Sequence, residues 1–364
     1  MTEARSARAI IYYAGFRHRT GGAYKHAVET AEELARTGWS VEVIAADDLP
    51  IFARYIPTIL GKIINLFASP LGFYYRGRVS AFLFRLFCKR GAELTIFEEI
   101  YISWNSKTPS VTMLHATWSD NLQGLRYRER WRDRLIVKEI SILNRIEHEV
   151  ITVSDEYLQF LRSDIFGVKL KKRISVVPLA LDVPAEAWKN PSTNARTGLV
   201  VTGRLEPRKN LFFLIDVFTE FSRRNPNVTL TIIGDGPQEN ALKELVAQRA
   251  IPVVFTGRLN KENVFAELQK HRVYVHTSTK ESFSFSLLEA KLNGLATCAF
   301  GDLQVPRLFI DYPVLDFEVE NWVSNLEDAL LEGPLHQVDA SNYTPARMVN
   351  NTLALAGLAS ELNE

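Results

Sequence analysis

The chain has 364 residues, of which 46% are apolar and 23% charged, with a formal net charge of +1. This composition is typical of a globular protein long enough for two domains, and it is not basic enough to indicate a nucleic-acid-binding protein. Cys88 and Cys298 match no disulfide or zinc spacing, no apolar stretch reaches the roughly 18 residues of a membrane-spanning helix, and the start lacks a signal peptide's apolar core. We therefore expect a cytoplasmic protein.

The first half of the sequence alternates strand and helix patterns. An apolar run at residues 9–14 is followed by a helical pattern that ends at Gly38 and by a second apolar run at residues 41–45. This order predicts a β-α-β unit and therefore a parallel sheet. Further strands are predicted at residues 94–97, 111–114, 150–153 and 174–177, and further helices at residues 131–148 and 155–166.

A segment with two prolines, residues 182–196, interrupts the alternation and is predicted to link two domains. Beyond it, strands are predicted at residues 199–202, 228–233, 253–255, 273–275 and 296–299, and helices near 210–224, 238–249, 261–270 and 285–293. We expect an α/β protein with two doubly wound, Rossmann-like domains, residues 1–181 and 197–342, facing each other across a cleft. Residues 343–364 are predicted to hold a further helix, and the sequence does not decide on which domain it packs.

Several loops that follow the predicted strands of the second half carry cations or glycines. Arg204 and Lys209 lie between a strand and a helix, where two positive groups and free backbone N–H groups suit a diphosphate. Loop cations are, taken alone, more often simply solvated. Gly234 and Gly257 end the next two strands, and glycine there permits the close approach of a ligand or simply a tight turn.

Two acids, Glu281 and Glu289, are separated by seven residues between a predicted strand and a predicted helix. Ligands of open α/β sheets bind at the carboxyl ends of strands, and a carboxylate can accept two hydroxyl hydrogen bonds. Without the neighbouring motifs, Glu289 would be interpreted as a surface residue of a helix and Glu281 as an acid at a helix N-terminus.

The order of these motifs is more specific than any one of them: Gly-Arg-x4-Lys, Ile-Gly-Asp-Gly-Pro, Phe-Thr-Gly-Arg, then Glu-x7-Glu-Ala. In this order the sequence resembles the GT-B glycosyltransferases, in particular the large retaining group called family 4, or glycosyltransferase group 1. The resemblance is strong over residues 198–294 and looser over residues 9–180. It implies that Arg204 and Lys209 bind the diphosphate of a nucleotide-sugar donor, that Glu289 binds the ribose hydroxyls and that Glu281 lies against the donor sugar.

The resemblance also extends to the first half of the chain. It implies that Gly21 and Gly22 form a glycine loop near the donor phosphate and the acceptor. It further implies that His115, directly after a predicted strand, orients the donor sugar or the acceptor in the active site. A lone histidine is more often structural.

The predicted catalytic residues are thus His115 and Glu281. The remaining predicted donor-binding residues are Gly234, Gly257, Phe283, Ser284 and Leu287. Ser282-Phe283-Ser284 stands where Gly-Phe-Gly is common in the family, and Gly294-Leu-Ala-Thr lacks the family's usual proline, so the donor sugar stays open.

No metal ion and no cofactor is expected beside a UDP- or GDP-linked donor. Arg204 and Lys209 can neutralise the departing diphosphate, and the chain has no Asp-x-Asp sequence.

Residues 51–92 hold no acid, and their cations alternate with aliphatic and aromatic residues. The cations are Arg54, Lys62, Arg76, Arg78, Arg85, Lys89 and Arg90. This pattern is typical of a peripheral contact with an anionic membrane, or of two helices that pack on the first sheet with their cations in solvent. The arginine series within residues 126–134 is interpreted as a solvated helix face, with binding of an acceptor phosphate as the less favoured alternative.

We expect a retaining glycosyltransferase, in which the family's chemistry is same-face attack with the leaving phosphate as the base. The acceptor is predicted to be a saccharide, in particular a lipid-linked saccharide of bacterial surface-polysaccharide synthesis. Two alternatives stay open: a nucleotide-sugar 2-epimerase of the same fold and a non-catalytic sugar-nucleotide-binding protein. A dehydrogenase is disfavoured because no Gly-x-Gly-x-x-Gly follows the first strand.

Overall fold

The computed structural model describes residues 6–18, 22–88, 90–121, 129–183 and 196–358. The chain divides into two compact units. The first unit comprises Met1–Ala180 together with Ser341–Glu364, and the second comprises Leu181–Ala340. Within the described residues, each unit contains a six-stranded parallel sheet. The predicted α/β architecture of two doubly wound parallel sheets is therefore confirmed.

The sheet of the first unit has the strand order β2-β1-β3-β4-β5-β6. Its strands are β1 Arg8–Tyr12, β2 Ser40–Ile44, β3 Leu94–Phe97, β4 Ser110–Leu114, β5 Glu149–Thr152 and β6 Ser175–Val176. Strands β3 and β4 are buried at every position, as expected for parallel strands covered by helices on both faces. The winding direction reverses between β1 and β3, and such switch points are where open α/β sheets bind ligands.

The helices of the first unit are α1 Gly22–Arg36, α2 Ile56–Ala68, α3 Leu71–Leu83, α4 Trp118–Asn121, α5 Glu129–Arg145, α6 Asp155–Phe160 and, at the other end of the chain, α12 Pro345–Leu355. Helix α12 packs on this unit, because Met348, Val349 and Leu353 are buried in one core cluster with Ala27 and Leu34 of α1. The helix whose position the sequence left open thus belongs to the first unit.

Helices α2 and α3 occupy most of the segment in which the sequence allowed either a membrane contact or two packing helices. They cross closely at two glycines, since a Cβ on Gly72 would overlap the carbonyl oxygen of Gly61. Gly77 of α3 packs against Tyr101 in the same way, because a Cβ on Gly77 would overlap the Cβ of Tyr101. The two helices therefore pack on each other, and α3 packs on the body of the unit.

The sheet of the second unit has the order β12-β11-β10-β7-β8-β9. Its strands are β7 Leu199–Thr202, β8 Leu230–Ile233, β9 Val253–Gly257, β10 Val273–His276, β11 Ala296–Phe300 and β12 Tyr312–Val314. Its helices are α7 Leu211–Arg224, α8 Glu239–Arg249, α9 Lys261–Leu268, α10 Phe285–Leu292 and α11 Val319–Glu332. The switch point lies between β7 and β10, which pair in parallel.

Strand β12 and helix α11 were not among the sequence predictions. Strand β12 has three residues, one of which is Pro313, and proline within an apolar run argues against a strand except at the edge of a sheet, where β12 lies. Helix α11 buries Trp322, Val323 and Leu326 against the second core. Among the described residues, no helix has the length and apolar composition needed to cross a membrane.

Candidate active site

The loop after β7 and the loop after β10 are joined at the switch point of the second unit. Gly203 leaves β7 with φ +142°, a short turn spans Pro207–Lys209, and Asn210 caps α7 from the left-handed region. The hydroxyl of Thr277, directly after β10, donates a 2.9 Å hydrogen bond to the carbonyl oxygen of Lys209. Because β7 and β10 are neighbours, the two loops lie side by side.

Lys209 and Glu281 form an ion pair between these loops, with 2.7 Å between Nζ and Oε1. Arg208 approaches the other carboxylate oxygen at 3.9 Å, and His276 Nε2 lies 3.6 Å from Oε1. Burial alone would raise the pKa of Glu281, but the charge of Lys209 holds that pKa well below its usual range. Glu281 is therefore ionised at neutral pH, while burial lowers the pKa of His276.

Arg204 is placed differently from Lys209, although the sequence treats them as a pair. Its side chain is 68% exposed, and its Nε lies 3.5 Å from Glu206 Oε2. Lys209 is thus held by a fixed carboxylate, whereas Arg204 stands mostly in solvent, with the conformational freedom to close on an anion.

Gly234 is a glycine because the neighbouring backbone requires it. A Cβ at this position would overlap the carbonyl oxygen of Gly203, and φ is +134°. Its N–H donates to the carbonyl oxygen of Gly257 at 2.9 Å, and the N–H of Gly203 donates to the carbonyl oxygen of Ile233 at 3.0 Å, so the ends of β7, β8 and β9 are joined. Gly257 itself has φ +70° and open space where a Cβ would be.

The apolar side chains of Phe283 and Leu287, near the start of α10, are buried. Phe283 is buried edge-to-face against Phe309, and Leu287 is fully buried. Ser284 has φ +66° and caps α10 by accepting a 3.4 Å hydrogen bond from the N–H of Leu287. Phe283 and Leu287 were predicted to contact the donor. With their side chains buried, they can do so only through main-chain groups and by holding α10 in place.

Glu289 lies on α10 and is partly buried. Burial raises the pKa of Tyr274 to about 12, and the nearby charge of Glu289 acts in the same direction. The hydroxyl of Tyr274 bonds to Thr202 at the end of β7. The second acid of the predicted pair is thus close enough to Tyr274, whose hydroxyl lies at the end of β7, to affect its pKa.

A second group of polar residues lies at the switch point of the first unit. Glu98 directly follows β3, His115 directly follows β4, and His26 lies one turn into α1. Glu98 Oε2 is 2.9 Å from His26 Nδ1 and 2.8 Å from His115 Nε2, and the carboxylate is completely buried. Gly22, the first residue of α1, is exposed, and a Cβ there would meet no atom within 4 Å. Gly21 lies outside the described residues.

The pKa values of this group follow from burial and from the shared carboxylate. Burial opposes ionisation of Glu98, but the two imidazoles lower its pKa to about 2. Burial lowers the pKa of His26, yet its contact with Glu98 outweighs burial and raises it overall. Burial lowers the pKa of His115. The same three side chains could ligate a divalent ion only after both imidazoles gave up the hydrogen bonds they make to Glu98.

The sequence prediction missed several residues of these two groups. Arg208 and His276 contact Glu281, and His26 and Glu98 flank His115. A usable signal was present for two of them, because Glu98 and His276 stand at the carboxyl ends of buried strands in the same way as His115. Nothing local distinguishes His26 from a surface helix residue.

The first unit also exposes a large amount of apolar side chain on α2, α3 and the residues beside them, which we name the apolar surface. Its members are Ile51, Phe52, Tyr55, Ile56, Ile59, Ile63, Leu66, Phe67, Phe82, Leu86 and Phe87. Large contiguous apolar patches are rare on monomeric proteins unless they bind something, so a cluster of exposed apolar residues within one segment indicates a candidate binding surface.

The cations of this segment are less available than the sequence suggests. Arg78 donates to the carbonyl oxygens of Tyr101 and Ser103, and Arg90 pairs with Glu42 at 2.6 Å. Lys62 and Arg85 are exposed, and Lys89 lies outside the described residues. The charge of the apolar surface is therefore smaller than a count of its lysines and arginines implies.

A cavity of about 180 Å³ opens beside the carboxyl end of β1. It is lined by Tyr13, Phe16, Arg54, Thr58, Arg76 and Ser80, among others. Two arginines and three hydroxyl side chains give it the character of a site for an anionic or hydroxyl-rich group.

Two family models match the chain. Residues 182–338 match glycosyl transferases group 1, and residues 20–183 match glycosyltransferase family 4. A component of the phosphatidylinositol N-acetylglucosaminyltransferase of Arabidopsis thaliana is 31% identical over 153 residues, which are 42% of this chain and 34% of that protein. The chain spans 34% and 40% of the length of the first two curated relatives that it matches.

Several solved structures resemble nearly the whole chain, among them the following two. A sucrose-phosphate synthase from Thermosynechococcus elongatus has a TM-score of 0.67 at 16% identity, covering 96% of this chain and 94% of its own. Anabaena HepE in complex with UDP-glucose has a TM-score of 0.56 at 15% identity, covering 97% of both chains. At these identities the likeness shows a common fold.

Proposed function

The chain belongs to the group 1 glycosyltransferases of GT-B fold, and from this we propose that it transfers a sugar from a nucleoside-diphosphate sugar to an acceptor. The observation that carries the proposal is the ion pair of Lys209 and Glu281 at the switch point between β7 and β10. Anabaena HepE, which shares the fold, was solved with UDP-glucose. A UDP- or GDP-linked donor in the second unit is therefore the first candidate.

Each polar group of the second unit has a role that its chemistry allows. Lys209 and Arg204 bind the diphosphate and stabilise the charge that grows on it as the glycosidic bond breaks. Glu289 accepts hydrogen bonds from the two ribose hydroxyls, and Glu281 accepts from hydroxyls of the donor sugar. Gly257 and Ser284 offer backbone groups beside the donor, and Gly234 keeps the neighbouring loop in place.

Lys209 and Arg204 can neutralise the negative charge that develops on the leaving diphosphate, so the reaction needs no metal ion for that purpose. We propose a metal-independent reaction with retention of configuration, in which the departing phosphate accepts the proton of the attacking hydroxyl. Glu281 is ionised and already paired with Lys209, so it serves as a hydrogen-bond acceptor and electrostatic partner. A double displacement with an enzyme carboxylate is not proposed.

In the first unit, we assign the acceptor side of the reaction to the carboxyl ends of β1, β3 and β4. His115 presents an imidazole there, and Gly22 leaves the start of α1 open. The cavity with Arg54 and Arg76 lies beside the same end of the sheet. These groups suit an acceptor that carries hydroxyls and an anionic group.

The apolar surface supports a lipid-linked acceptor and a peripheral contact with the membrane. Its exposed aromatic and aliphatic side chains can enter the interface of a bilayer, and Lys62 and Arg85 each add roughly 1 kcal/mol against anionic lipid. The Arabidopsis relative carries phosphatidylinositol in its name. A lipid-linked saccharide of bacterial surface-polysaccharide synthesis, used at the cytoplasmic face, is our specific proposal.

The first experiment is a thermal-shift panel with UDP, GDP, ADP, CMP and dTDP on the wild type, on Glu289→Ala and on Glu244→Ala. Glu244 is a glutamate on α8 of the same unit, away from the strand ends that carry the site, so its variant is a matched control. A ligand at 100 times its dissociation constant adds about 2.7 kcal/mol of stability. We expect one diphosphate to raise the melting temperature of the wild type and the control but not of Glu289→Ala. No response in the folded wild type would contradict donor binding.

Product analysis then tests the finer claims. NMR of the transferred sugar should show the anomeric configuration of the donor, and a chelator should leave the rate unchanged. An inverted product, or activity that returns only with a divalent ion, would refute the mechanism while leaving donor binding intact. Turnover of the donor to its 2-epimer without an acceptor would favour the isomerase alternative, which none of the named relatives supports.

A further inference from the structure

The buried carboxylate of Glu98 lies between two imidazoles, His26 from α1 and His115 from the end of β4. Building on the proposed function, we infer that His26 and Glu98 are positioning residues that hold His115 neutral, with its proton on Nε2 and its Nδ1 lone pair free for a sugar hydroxyl. The distances of 2.9 Å to His26 Nδ1 and 2.8 Å to His115 Nε2 require an N–H on each nitrogen that faces the carboxylate.

The charge of the group is balanced when one of the two imidazoles is a cation. Glu98 is completely buried, and a buried carboxylate needs one compensating positive charge. His26 is the better place for that charge, because its Nδ1 lies 3.1 and 2.9 Å from the two carboxylate oxygens of Glu98 and its Nε2 lies 3.5 Å from the hydroxyl oxygen of Thr30. An imidazolium at His26 donates to Glu98 from Nδ1 and faces Thr30 with its other N–H.

His115 then keeps a single proton. Its ring stands edge-on to that of His26, with 4.9 Å between centroids, so a second positive charge would lie beside the first. Its side chain is 16% exposed, and within the described residues its Nδ1 has no hydrogen-bond partner. An N–H fixed on Glu98 therefore leaves Nδ1 as an acceptor that faces outward.

Other charged groups surround this cluster and set the conditions of the test. Glu29 on the next turn of α1 favours the cationic form of His26, and Glu99 beside Glu98 has a pKa raised by burial. Arg76 of α3 interacts with Glu99 and with Tyr13, which also interacts with Glu98. None of these groups contributes a proton to His115 Nε2, which faces Glu98.

The decisive measurement is the ¹⁵N NMR spectrum of the histidine side chains, which separates the two neutral tautomers and the cation. The chain has seven histidines, and His26→Gln and His115→Gln assign the two signals. At pH 7 we expect His26 as an imidazolium and His115 as the Nε2–H tautomer. A His115 signal of the Nδ1–H tautomer or of the cation, or a neutral His26, would overturn the inference. This result does not depend on any transfer activity.

Glu98→Gln is the variant that tests the effect on function, with His148→Gln as the matched control. His148 also lies at the first sheet and bonds to Thr112 at 2.7 Å, outside the cluster. In Glu98→Gln we expect His26 to lose its charge at pH 7, His115 to populate both tautomers, and kcat to fall about 10- to 100-fold with little change in the KM of the donor. The control should keep the wild-type spectrum of His26 and His115 and the wild-type kcat.

Failure of this inference and failure of the proposed function give different results. If Glu98→Gln changes the tautomers but kcat stays at the wild-type value, the pair does not position a residue that matters for transfer, and the inference is wrong. If the variant lowers kcat while the wild type shows the Nδ1–H tautomer, Glu98 acts in some other way, and the inference is again wrong. The response to a nucleoside diphosphate, which tests the second unit, should be unchanged in Glu98→Gln.

Discussion

Lys209 Nζ and Glu281 Oε1 are separated by 2.7 Å, although the two residues are 72 positions apart in the chain. The pair exists because β7 and β10 are adjacent parallel strands, so that the loops after them meet at one edge of the sheet. A donor diphosphate would share Lys209 with a carboxylate that repels it. In the proposed donor site, Glu281 would therefore oppose binding of the diphosphate while it binds the sugar.

This competition predicts that removing the charge of Glu281 strengthens diphosphate binding but slows sugar transfer. Glu281→Gln should tighten binding of the nucleoside diphosphate by about 3- to 10-fold, because the full charge of Lys209 becomes available. The same change should reduce sugar transfer by at least about 100-fold. Isothermal titration calorimetry and a product assay measure the two effects. Weaker binding in Glu281→Gln would show that Glu281 helps to hold the diphosphate instead.

Gly22→Leu should abolish transfer without destabilising the protein. A side chain at this exposed first position of α1 meets no atom within 4 Å, and leucine has a better helix propensity than glycine. Gly91→Leu is the control, since Gly91 is also exposed and its Cβ position is also open. Circular dichroism melting and the transfer assay separate folding from function. Wild-type transfer in Gly22→Leu would remove Gly22 from the proposed site.

Two glycines of the second unit should differ in their tolerance of alanine. In Gly234→Ala the Cβ would overlap the carbonyl oxygen of Gly203, so we expect a loss of about 3 kcal/mol in the free energy of unfolding. Gly294→Ala shares the positive φ but has open space, so it should cost about 1 kcal/mol. Urea unfolding of both variants gives the comparison. Equal losses of unfolding free energy in the two variants would mean that the positive φ, and not the contact with the carbonyl oxygen of Gly203, decides the cost.

The strands and the site residues differ in how well they could be predicted from the sequence. Buried apolar runs predicted most strands to within two residues, because a parallel strand covered on both faces leaves an uninterrupted apolar segment. Arg204 and Lys209 share a loop, but the sequence contains no information on the 68% exposure of one and the ion pair of the other. His26 and Glu98 could not be paired in advance, because their contact depends on how α1 lies over the sheet.

Glu139 should make the first unit less stable as the pH rises towards neutrality. It accepts hydrogen bonds from the backbone N–H of Ser119 and from the hydroxyls of Ser119 and Tyr101, yet burial outweighs these bonds and raises its pKa from 4.5 to about 7. A carboxyl with a raised folded-state pKa contributes stability below the unfolded value of 4.5 that is lost as the pH rises through about 7.

The contribution of Glu139 is measured as the difference in unfolding free energy between the wild type and Glu139→Gln. We expect this difference to fall by about 3 kcal/mol as the pH is raised from the unfolded-state pKa to just above the folded-state pKa. Glu98, with its pKa lowered to about 2, acts in the opposite direction and loses its contribution only as the pH falls below 4.5. A difference that is constant with pH would show that Glu139 is ionised over the whole range.

The apolar surface should bind anionic liposomes through Leu66 and Phe67, both 79% exposed on α2. Replacing both by serine should weaken co-sedimentation about 10-fold or more with little change in stability, because neither side chain contributes to the core. Leu331→Ser with Leu335→Ser, on exposed positions of the second unit, is the control. Wild-type protein that stays in the supernatant would rule out the membrane contact.

Because helix α12 packs on it, the first unit is built from two segments that lie far apart in the sequence. Residues Met348, Val349 and Leu353 complete a core begun by α1, so the second unit is inserted into the first. In chain order the second unit is complete at Ala340, whereas the first is complete only with the residues that follow. A chain truncated after Ala340 would leave the apolar side of α1 uncovered, and fragments meant to isolate the first unit must carry the last helix with them.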